Sequence, residues 1–406
     1  MKDLLSSKKA MWVMGYIGLY LIATGVSWAT FTFLGGSGGS LSQSLSRLAS
    51  KRAQIKAELP KTEECPLNGG MFTKVEREIW EERRPLTVVI ENHQEARPLE
   101  GLSRADIVYE AVAEGGVTRN LAVLYCGVAA DDVRIAPIRS ARVHLVNWAA
   151  GYNNPIFMHI GGANDFCQEC PGGVKYKGQV DPRVNAYNLL SDLGWLNGAK
   201  GNDFDAERNV GYPVVGRDPD RLGSGKQLAT EHTVFGFTDK IFDEAAKRGF
   251  TSDGWEEEFK PWKFKDGKVN AAGGASNISF EFWSNKPEYD VEWKFDAATN
   301  SYARFNGGER VVDLSNNKKE VNVSNVVVMF IEEEGPVDKE LHIYYEAVGE
   351  GEALIFQNGE VVESTWEKED ITSPIIFSNS EGEEIEFVRG PIWIEGVPKG
   401  NDIVYN

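Results

Sequence analysis

The chain has 406 residues and 42% of them are hydrophobic, which is ample for packed cores and excludes a wholly disordered protein. The net charge of −18 is uneven: residues 251–406 hold 14 basic and 32 acidic side chains, whereas residues 1–250 hold 29 of each. The length and this contrast indicate two units with different surface chemistry. We expect no nucleic-acid partner for a chain of this charge.

The N-terminal segment predicts a membrane anchor. Residues 10–34 contain no charged side chain and are long enough to span a bilayer as one helix. The lysine-bearing residues 1–9 favour a cytoplasmic tail, although basic residues also follow the apolar segment. A cleaved signal peptide is the alternative. Because the apolar run is longer than a usual signal sequence, we predict an uncleaved signal anchor.

Residues 35–83 follow as a Gly/Ser linker and a juxtamembrane helix. The helix is indicated by leucine and isoleucine side chains that recur at spacings of about three and four, and it ends before Pro60. An amphipathic helix of this kind either packs on its own domain or pairs two chains as a short coiled coil. A homodimer through this helix is therefore one of two hypotheses.

The remaining chain predicts an α+β protein. In residues 84–250, apolar, β-branched runs predict strands at residues 86–91, 106–112, 121–128 and 156–160. They alternate with helical candidates at residues 141–150, 186–196 and 239–248, which indicates an α/β domain with a mixed sheet. After a linker at residues 251–275, residues 276–406 contain short alternating segments separated by turn signals. These predict an all-β, acidic C-terminal domain.

Four cysteines bear on the compartment: Cys65, Cys126, Cys167 and Cys170. An even number suggests pairing in an oxidising environment, and three connectivities are possible. A Cys-x-x-Cys pair without a second one argues against structural zinc, and the Pro-Gly-Gly that follows disfavours a redox helix. We predict the pairs Cys65–Cys126 and Cys167–Cys170, which would place the soluble part outside the cytoplasm.

Residues 107–142 contain the candidate site, because polar groups of both signs crowd the ends of apolar strands there. Guanidinium groups match carboxylate and phosphate geometry, and nearby hydroxyls add donors. We predict that an anionic ligand binds through Thr118, Arg119, Arg139, Ser140 and Arg142, with His232 as a further candidate. The alternative is that these arginines form structural ion pairs with Glu110 and Glu114.

A second interpretation makes the same region catalytic. Glu110 and Glu114 are four residues apart and could act as a carboxylate pair in glycoside hydrolysis. His159 ends an apolar run before two glycines, where it could supply general acid or base chemistry. No recognised nucleophile, zinc or phosphate-binding motif occurs in the sequence. We therefore predict no metal and no cofactor.

Several motifs resemble one bacterial family. The chain is similar to the YerB-like lipoproteins, which have two domains of unknown function, in Arg84-Pro85-Leu86, Asn92-His93, Ala96-Arg97-Pro98, Ala105–Glu110, Glu114–Arg119, Arg139–Arg142, His159–Gly162, Gly351–Leu354 and Trp393–Glu395. The resemblance implies an envelope-associated protein with a two-domain split, and it implies no reaction. The chain departs from the family where it lacks a lipobox cysteine and where Glu231 and Thr233 flank His232.

Together these observations predict a single-pass, membrane-anchored extracytoplasmic protein. Its leading predicted function is the binding of an anionic envelope polymer through the arginines. A cell-wall hydrolase that uses glutamate and histidine as acid and base is the second hypothesis. A structural module that recruits a partner to the envelope is the third.

Overall fold

The computed structural model describes residues 47–55, 59–165, 180–196, 201–270 and 273–406. The chain divides into two units, residues 1–57 and residues 58–406. Residues 47–55 of the first unit are helical, as part of the predicted juxtamembrane helix. The predicted anchor at residues 10–34 lies outside the described residues. Among the helices that the structure describes, none combines the length and the apolar character needed to cross a membrane.

The second unit is mostly β, with a few short helices. Up to residue 250 its strands are β1 (Lys61–Glu64), β2 (Met71–Thr73), β3 (Leu86–Glu91), β4 (Ile107–Glu114), β5 (Val117–Leu124), β6 (Arg134–Ile135), β7 (Ile156–His159), β8 (Asp203–Asp205), β9 (Val215–Arg217) and β10 (Val234–Phe237). The helices are α1 (Lys74–Trp80), α2 (Val143–Ala150), α3 (Ala186–Asp192), α4 (Thr238–Lys247) and α5 (Trp255–Glu258). Helices α2, α3 and α4 confirm the three helical predictions to within a few residues.

The later strands are short. They are β11 (Lys263–Lys265), β12 (Asn277–Phe280), β13 (Val291–Asp296), β14 (Ser301–Asn306), β15 (Glu309–Arg310), β16 (Val312–Asp313), β17 (Lys319–Glu320), β18 (Asn322–Val323), β19 (Asn325–Ile331), β20 (Glu333–Glu334), β21 (Tyr344–Tyr345), β22 (Gly349–Gln357), β23 (Glu360–Lys368), β24 (Ile376–Asn379), β25 (Glu386–Val388), β26 (Ile392–Pro398) and β27 (Val404–Tyr405). The described part of this region is almost entirely β, in agreement with the sequence pattern.

One mixed sheet runs through both regions of the chain. Its ten strands have the order β24-β23-β22-β19-β26-β4-β5-β3-β7-β8. Strand β26 lies parallel to β19 on one side and parallel to β4 on the other, with Glu395 opposite Glu110. Strands β3, β4 and β26 are buried almost throughout, which explains their apolar runs. The sequence regions 84–250 and 276–406 are therefore joined by main-chain hydrogen bonds.

The hairpin β4–β5 corrects one prediction. Strand β5 begins at Val117, four residues before the predicted start at Leu121. Gly115 and Gly116 form the two-residue turn with φ angles of 56° and 80°, which glycine adopts without strain. The polar residues from Thr118 to Asn120 are buried strand residues instead of a polar loop. The prediction was wrong here because buried polar side chains interrupt the apolar pattern.

A second sheet covers the middle of the first. Its strands have the order β15-β14-β13-β12-β27, and β18 also pairs with β14. Trp293 of β13 meets Trp393 of β26 edge to face, with ring centroids 5.5 Å apart. The fully buried Arg304 of β14 has its guanidinium carbon about 5 Å from both rings. The two sheets therefore meet at an aromatic layer that contains a buried charge.

The disulfide Cys65–Cys126 is present, which confirms one predicted pair. It ties the segment before α1 to the end of β5, and both cysteines are fully buried. The carboxylate of Asp106 lies beside it and accepts hydrogen bonds from the backbone N–H groups of Tyr125 and Gly127. The second predicted pair, Cys167–Cys170, lies outside the described residues.

Candidate functional site

The turn of the β4–β5 hairpin places Glu114 among the predicted arginines. Arg142, at the start of α2, donates from Nε and Nη2 to the same Glu114 oxygen at 2.9 and 2.7 Å. Arg119, on β5, pairs with the other oxygen and donates from Nη1 to the carbonyl of Ser140 at 3.0 Å. Arg139 donates from Nε to Glu91 at 3.0 Å. All three arginines of this arginine cluster therefore have a carboxylate partner.

Burial limits what the arginine cluster can bind. The side chains of Arg119 and Arg142 are 3% and 9% exposed, whereas that of Arg139 is 23% exposed. Burial, followed by the repulsion of Arg142, lowers the pKa of Arg119 to about 9. The structure thus favours the ion-pair alternative for Arg119 and Arg142, and leaves the outer face of Arg139 as the open part of the predicted anion site.

Glu110 belongs to a different cluster. Its side chain is fully buried and accepts hydrogen bonds from Asn92 at 2.9 Å and from the Thr118 hydroxyl at 2.6 Å. Arg304 donates to its second oxygen at 2.6 Å and lies 3.5 Å from Glu395. We call Glu110, Arg304 and Glu395 the buried charge cluster. The hydroxyl of Thr118 therefore donates to the carboxylate of Glu110 and is not free to donate to a ligand.

These contacts argue against the hydrolase prediction. A glycosidase needs one carboxyl group that donates a proton and one that attacks or activates water across an open cleft. Here Glu110 is sealed by Arg304, and Glu114 is neutralised by Arg119 and Arg142. Each carboxylate is held in an ion pair with a buried arginine, which disfavours the proton transfer and the nucleophilic attack that the reaction requires.

His159 is also a structural residue in this arrangement. Its ring is fully buried, with Nδ1 2.8 Å from the carbonyl of Gly161 and Nε2 2.9 Å from Asp203. Burial lowers its pKa, but the hydrogen bond to Asp203 and nearby charges outweigh this and raise it. Both ring nitrogens face acceptors, so neither is available to a substrate. His232 belongs to another part of the structure, where its Nδ1 atom lies 2.7 Å from Oε2 of Glu91.

The ion pairs of Glu114 predict an acid-sensitive contribution to stability. Burial raises its pKa, but Arg119 and Arg142 outweigh this and lower the pKa from 4.5 to about 2. A depressed folded-state pKa stabilises the fold above pH 4.5, and this stabilisation is lost as the pH falls toward 2. Between neutral pH and pH 2, we expect wild type to lose roughly 1–3 kcal/mol more unfolding free energy than Glu114→Gln does.

Urea unfolding at several pH values measures this difference. The control is Glu369→Gln, which removes an exposed carboxylate and should keep the wild-type pH profile. Parallel profiles for wild type and Glu114→Gln in this window would contradict the assignment of the ion pairs.

A cavity of about 330 Å³ lies beside the buried charge cluster. Its walls come from the loop after β3, from the second sheet and from the main sheet, and it is lined among others by Asn92, Arg97, Leu99, Glu110, Asn120, Arg304, Asn306, Arg310 and Trp393. This volume lies at the lower end of the range for small-molecule sites, about 300–1,000 Å³. No sequence pattern indicated this site, although Asn92 and Arg97 lie in motifs that carry the family resemblance.

Arg97 is the distinctive residue of the cavity wall. It donates to the carbonyl oxygens of Asn92 and Glu288 at 3.0 and 2.7 Å, and its guanidinium lies over the ring of Tyr289. Among the described residues, no carboxylate comes within ion-pair distance of it. Burial lowers its pKa. The side chain is thus held in place by neutral groups, while Glu110 and Glu309 act on its charge from beyond ion-pair distance.

Two further polar atoms at the cavity lack partners within the described structure. The side-chain oxygen Oδ1 of Asn120 and the Nε atom of Arg310 are both buried and without a hydrogen bond. An unmet buried acceptor costs free energy, so a ligand that donates to Asn120 would relieve it. Burial raises the pKa of Glu395, which favours its neutral form. The cavity lining holds three guanidinium groups, from Arg97, Arg304 and Arg310, and three carboxylates, from Glu110, Glu288 and Glu309, so its formal charges balance.

Comparison with known proteins identifies the family to which this architecture belongs. Residues 72–181 match the family model described as "Protein of unknown function (DUF3048) N-terminal domain", and residues 278–394 match the corresponding C-terminal domain. The chain is 29% identical over 339 residues to "Putative lipoprotein YerB" of Bacillus subtilis (strain 168), covering 82% of this chain and 86% of that protein. The crystal structure of YerB from Bacillus subtilis is similar with a TM-score of 0.64 and 25% identity, over 84% of this chain and all of that one. The chain therefore belongs to the YerB-like family, whose members carry two domains of unknown function.

Proposed function

We propose that this protein binds a small, anionic, hydroxyl-bearing molecule in the cavity beside the buried charge cluster. The observation that carries the proposal is the position of Arg97, which has no carboxylate within ion-pair distance among the described residues, in the wall of a polar cavity. A carboxylate or phosphate on the ligand would pair with Arg97, since guanidinium groups bind both in a forked geometry. A hydroxyl or amide donor on the same ligand would satisfy Asn120 Oδ1.

The chemistry of the cavity suits an acidic sugar. Such a molecule combines an anionic group, which matches Arg97, with several hydrogen-bond donors, which match the unpaired Oδ1 of Asn120. The volume accommodates a single sugar and not a length of polymer. This proposal retains the predicted anionic envelope ligand, but it assigns the binding site to the cavity and not to the arginine cluster.

We place this activity outside the cytoplasm, with residues 10–34 as the membrane anchor. The disulfide Cys65–Cys126 supports an oxidising compartment. The description of the relative from Bacillus subtilis as a lipoprotein supports attachment to the envelope. In this chain, a transmembrane segment would take the place of the lipid.

Calorimetric titration of N-acetylmuramic acid into the purified protein tests the proposal. We expect wild type to bind this acidic sugar, and Arg97→Gln to bind it at least about tenfold more weakly, because loss of a charged hydrogen bond costs about 1.5–3 kcal/mol. Arg183→Gln is the matched control: it removes an exposed arginine that does not line the cavity, and should bind as wild type does.

Two further probes separate the alternatives. The neutral sugar N-acetylglucosamine should bind more weakly than the acidic one, because it lacks the group that pairs with Arg97. Chromatography of the recovered sugar or of a muropeptide substrate should show no new product, whereas the hydrolase hypothesis requires one. Equal binding by wild type and Arg97→Gln would overturn the cavity as the site and favour a module that recruits a protein partner.

A further inference from the structure

A histidine and carboxylate cluster lies outside the cavity. His93 and Glu95 are in the loop that follows β3, and His232 immediately precedes β10. One ligand atom from each of the three side chains lies within 4.8 Å of the other two. His232 is buried, His93 is half-buried, and the side chain of Glu95 is 67% exposed. Sequence spacing gave no indication of this site, because the two histidines are far apart in the chain.

Glu91 determines which ring nitrogen of His232 carries the proton. Its Oε2 atom is 2.7 Å from Nδ1 of His232, and a carboxylate can only accept there, so Nδ1 carries the ring proton. The Nε2 atom therefore has a free lone pair, and it lies 3.7 Å from Oε2 of Glu95. Arg139 fixes the other oxygen of Glu91 at 3.0 Å. A buried carboxylate that orients a histidine in this way is the usual outer shell of a metal-binding histidine.

The local charge also favours a cation. Glu91, Glu95 and Glu231 provide three carboxylates, against two guanidinium groups, from Arg139 and from Arg221, which donates to the carbonyl of His232. A bound divalent ion would offset this excess of negative charge.

We propose that His93, Glu95 and His232 bind a divalent transition metal of the zinc type. Two imidazole nitrogens with one carboxylate suit zinc and its neighbours, whereas calcium and magnesium prefer ligands that are all oxygen. Three protein ligands leave a fourth position for water or for an anion. This open position makes the site resemble catalytic zinc sites more than structural ones.

Metal binding requires a small rearrangement. The separation of up to 4.8 Å must shorten, because zinc bonds to nitrogen and oxygen are about 2.0–2.2 Å long. The exposed side chain of Glu95 can move inward freely. The ring of His93 is now stacked on that of His232 at 5.0 Å and accepts a long 3.3 Å hydrogen bond from the backbone of Glu95. We expect His93 to turn out of the stack, while Glu91 keeps His232 in place.

The test is a titration of the full-length protein after removal of metals by chelator and dialysis. Zinc affinity is measured by competition with a chromophoric chelator, and Co²⁺ serves as the spectroscopic probe. We expect one equivalent of either ion to bind to wild type, with Co²⁺ d–d bands and without thiolate charge-transfer absorption. The absence of that absorption excludes the cysteines as ligands.

Variants assign the ligands. His93→Ala and Glu95→Gln should each lose the Co²⁺ bands, and Glu91→Gln should weaken zinc binding by about 10–100-fold through loss of the outer-shell hydrogen bond. The control is His342→Ala, which removes a buried histidine that pairs with Asp338 outside this cluster and should retain the bands. Unchanged affinity in His93→Ala and Glu95→Gln would overturn the proposal, as would no stoichiometric binding to wild type.

Discussion

Replacing Arg304 with methionine is expected to lower the free energy of unfolding by about 3–5 kcal/mol, which is the cost of leaving a buried charge without its partner. Arg304 is 1% exposed and donates to Glu110, which is fully buried. After the substitution, Glu110 keeps only neutral donors, from Asn92 and Thr118. Because Arg304 belongs to the second sheet and Glu110 to the main sheet, the loss also weakens the contact between the two sheets.

Urea unfolding measures this difference, with Arg183→Met as the control. Arg183 forms exposed ion pairs with Asp181 and Glu334, so its replacement should cost no more than about 1 kcal/mol. The double variant Arg304→Met/Glu110→Gln should recover part of the loss, because the unpaired charge is then absent. If Arg304→Met and Arg183→Met were equally stable, the buried charge cluster would not stabilise the contact between the two sheets.

The sequence contained enough to locate the apolar strands. Strand β3 was predicted at its observed bounds, and β7 differs from its prediction by one residue. Such strands are buried on both faces and therefore leave a continuous apolar run. Strand β5 was misplaced at its start because Thr118, Arg119 and Asn120 are buried by pairing with other polar groups, which no periodicity reveals.

The partners of polar residues could not be predicted. Glu110 resembled a catalytic carboxylate because its partner Arg304 is 194 residues away in the chain. The alternatives for the arginines were both visible in the sequence, but only their distances to Glu114 and Glu91 distinguish ion pairs from an open anion site. The cavity was missed for the same reason, since its lining residues come from at least four separate stretches of the chain.

Removal of the disulfide Cys65–Cys126 is expected to lower the free energy of unfolding about as much as Arg304→Met does. The bond joins residues separated by 61 positions, and the chain-entropy relation for a loop of this length gives a stabilisation of about 4 kcal/mol. We expect Cys65→Ala/Cys126→Ala to lose up to about this amount of unfolding free energy. The loss arises mainly because the unfolded chain gains conformational freedom. A smaller part arises because the hydrogen bond from Asn68 to Asp106 lies beside the disulfide.

Reductant separates this disulfide from the other two cysteines. Wild type measured with reductant should fall to the stability of the Cys65→Ala/Cys126→Ala variant, which should itself change little when reductant is added. The matched control is Cys167→Ala/Cys170→Ala: if Cys65–Cys126 is the stabilising bond, this variant should still lose about 4 kcal/mol on reduction. If reductant did not destabilise this control variant, the stabilising bond would be the predicted Cys167–Cys170 pair. The Cys65–Cys126 disulfide, which closes the 61-residue loop, would then contribute little to stability.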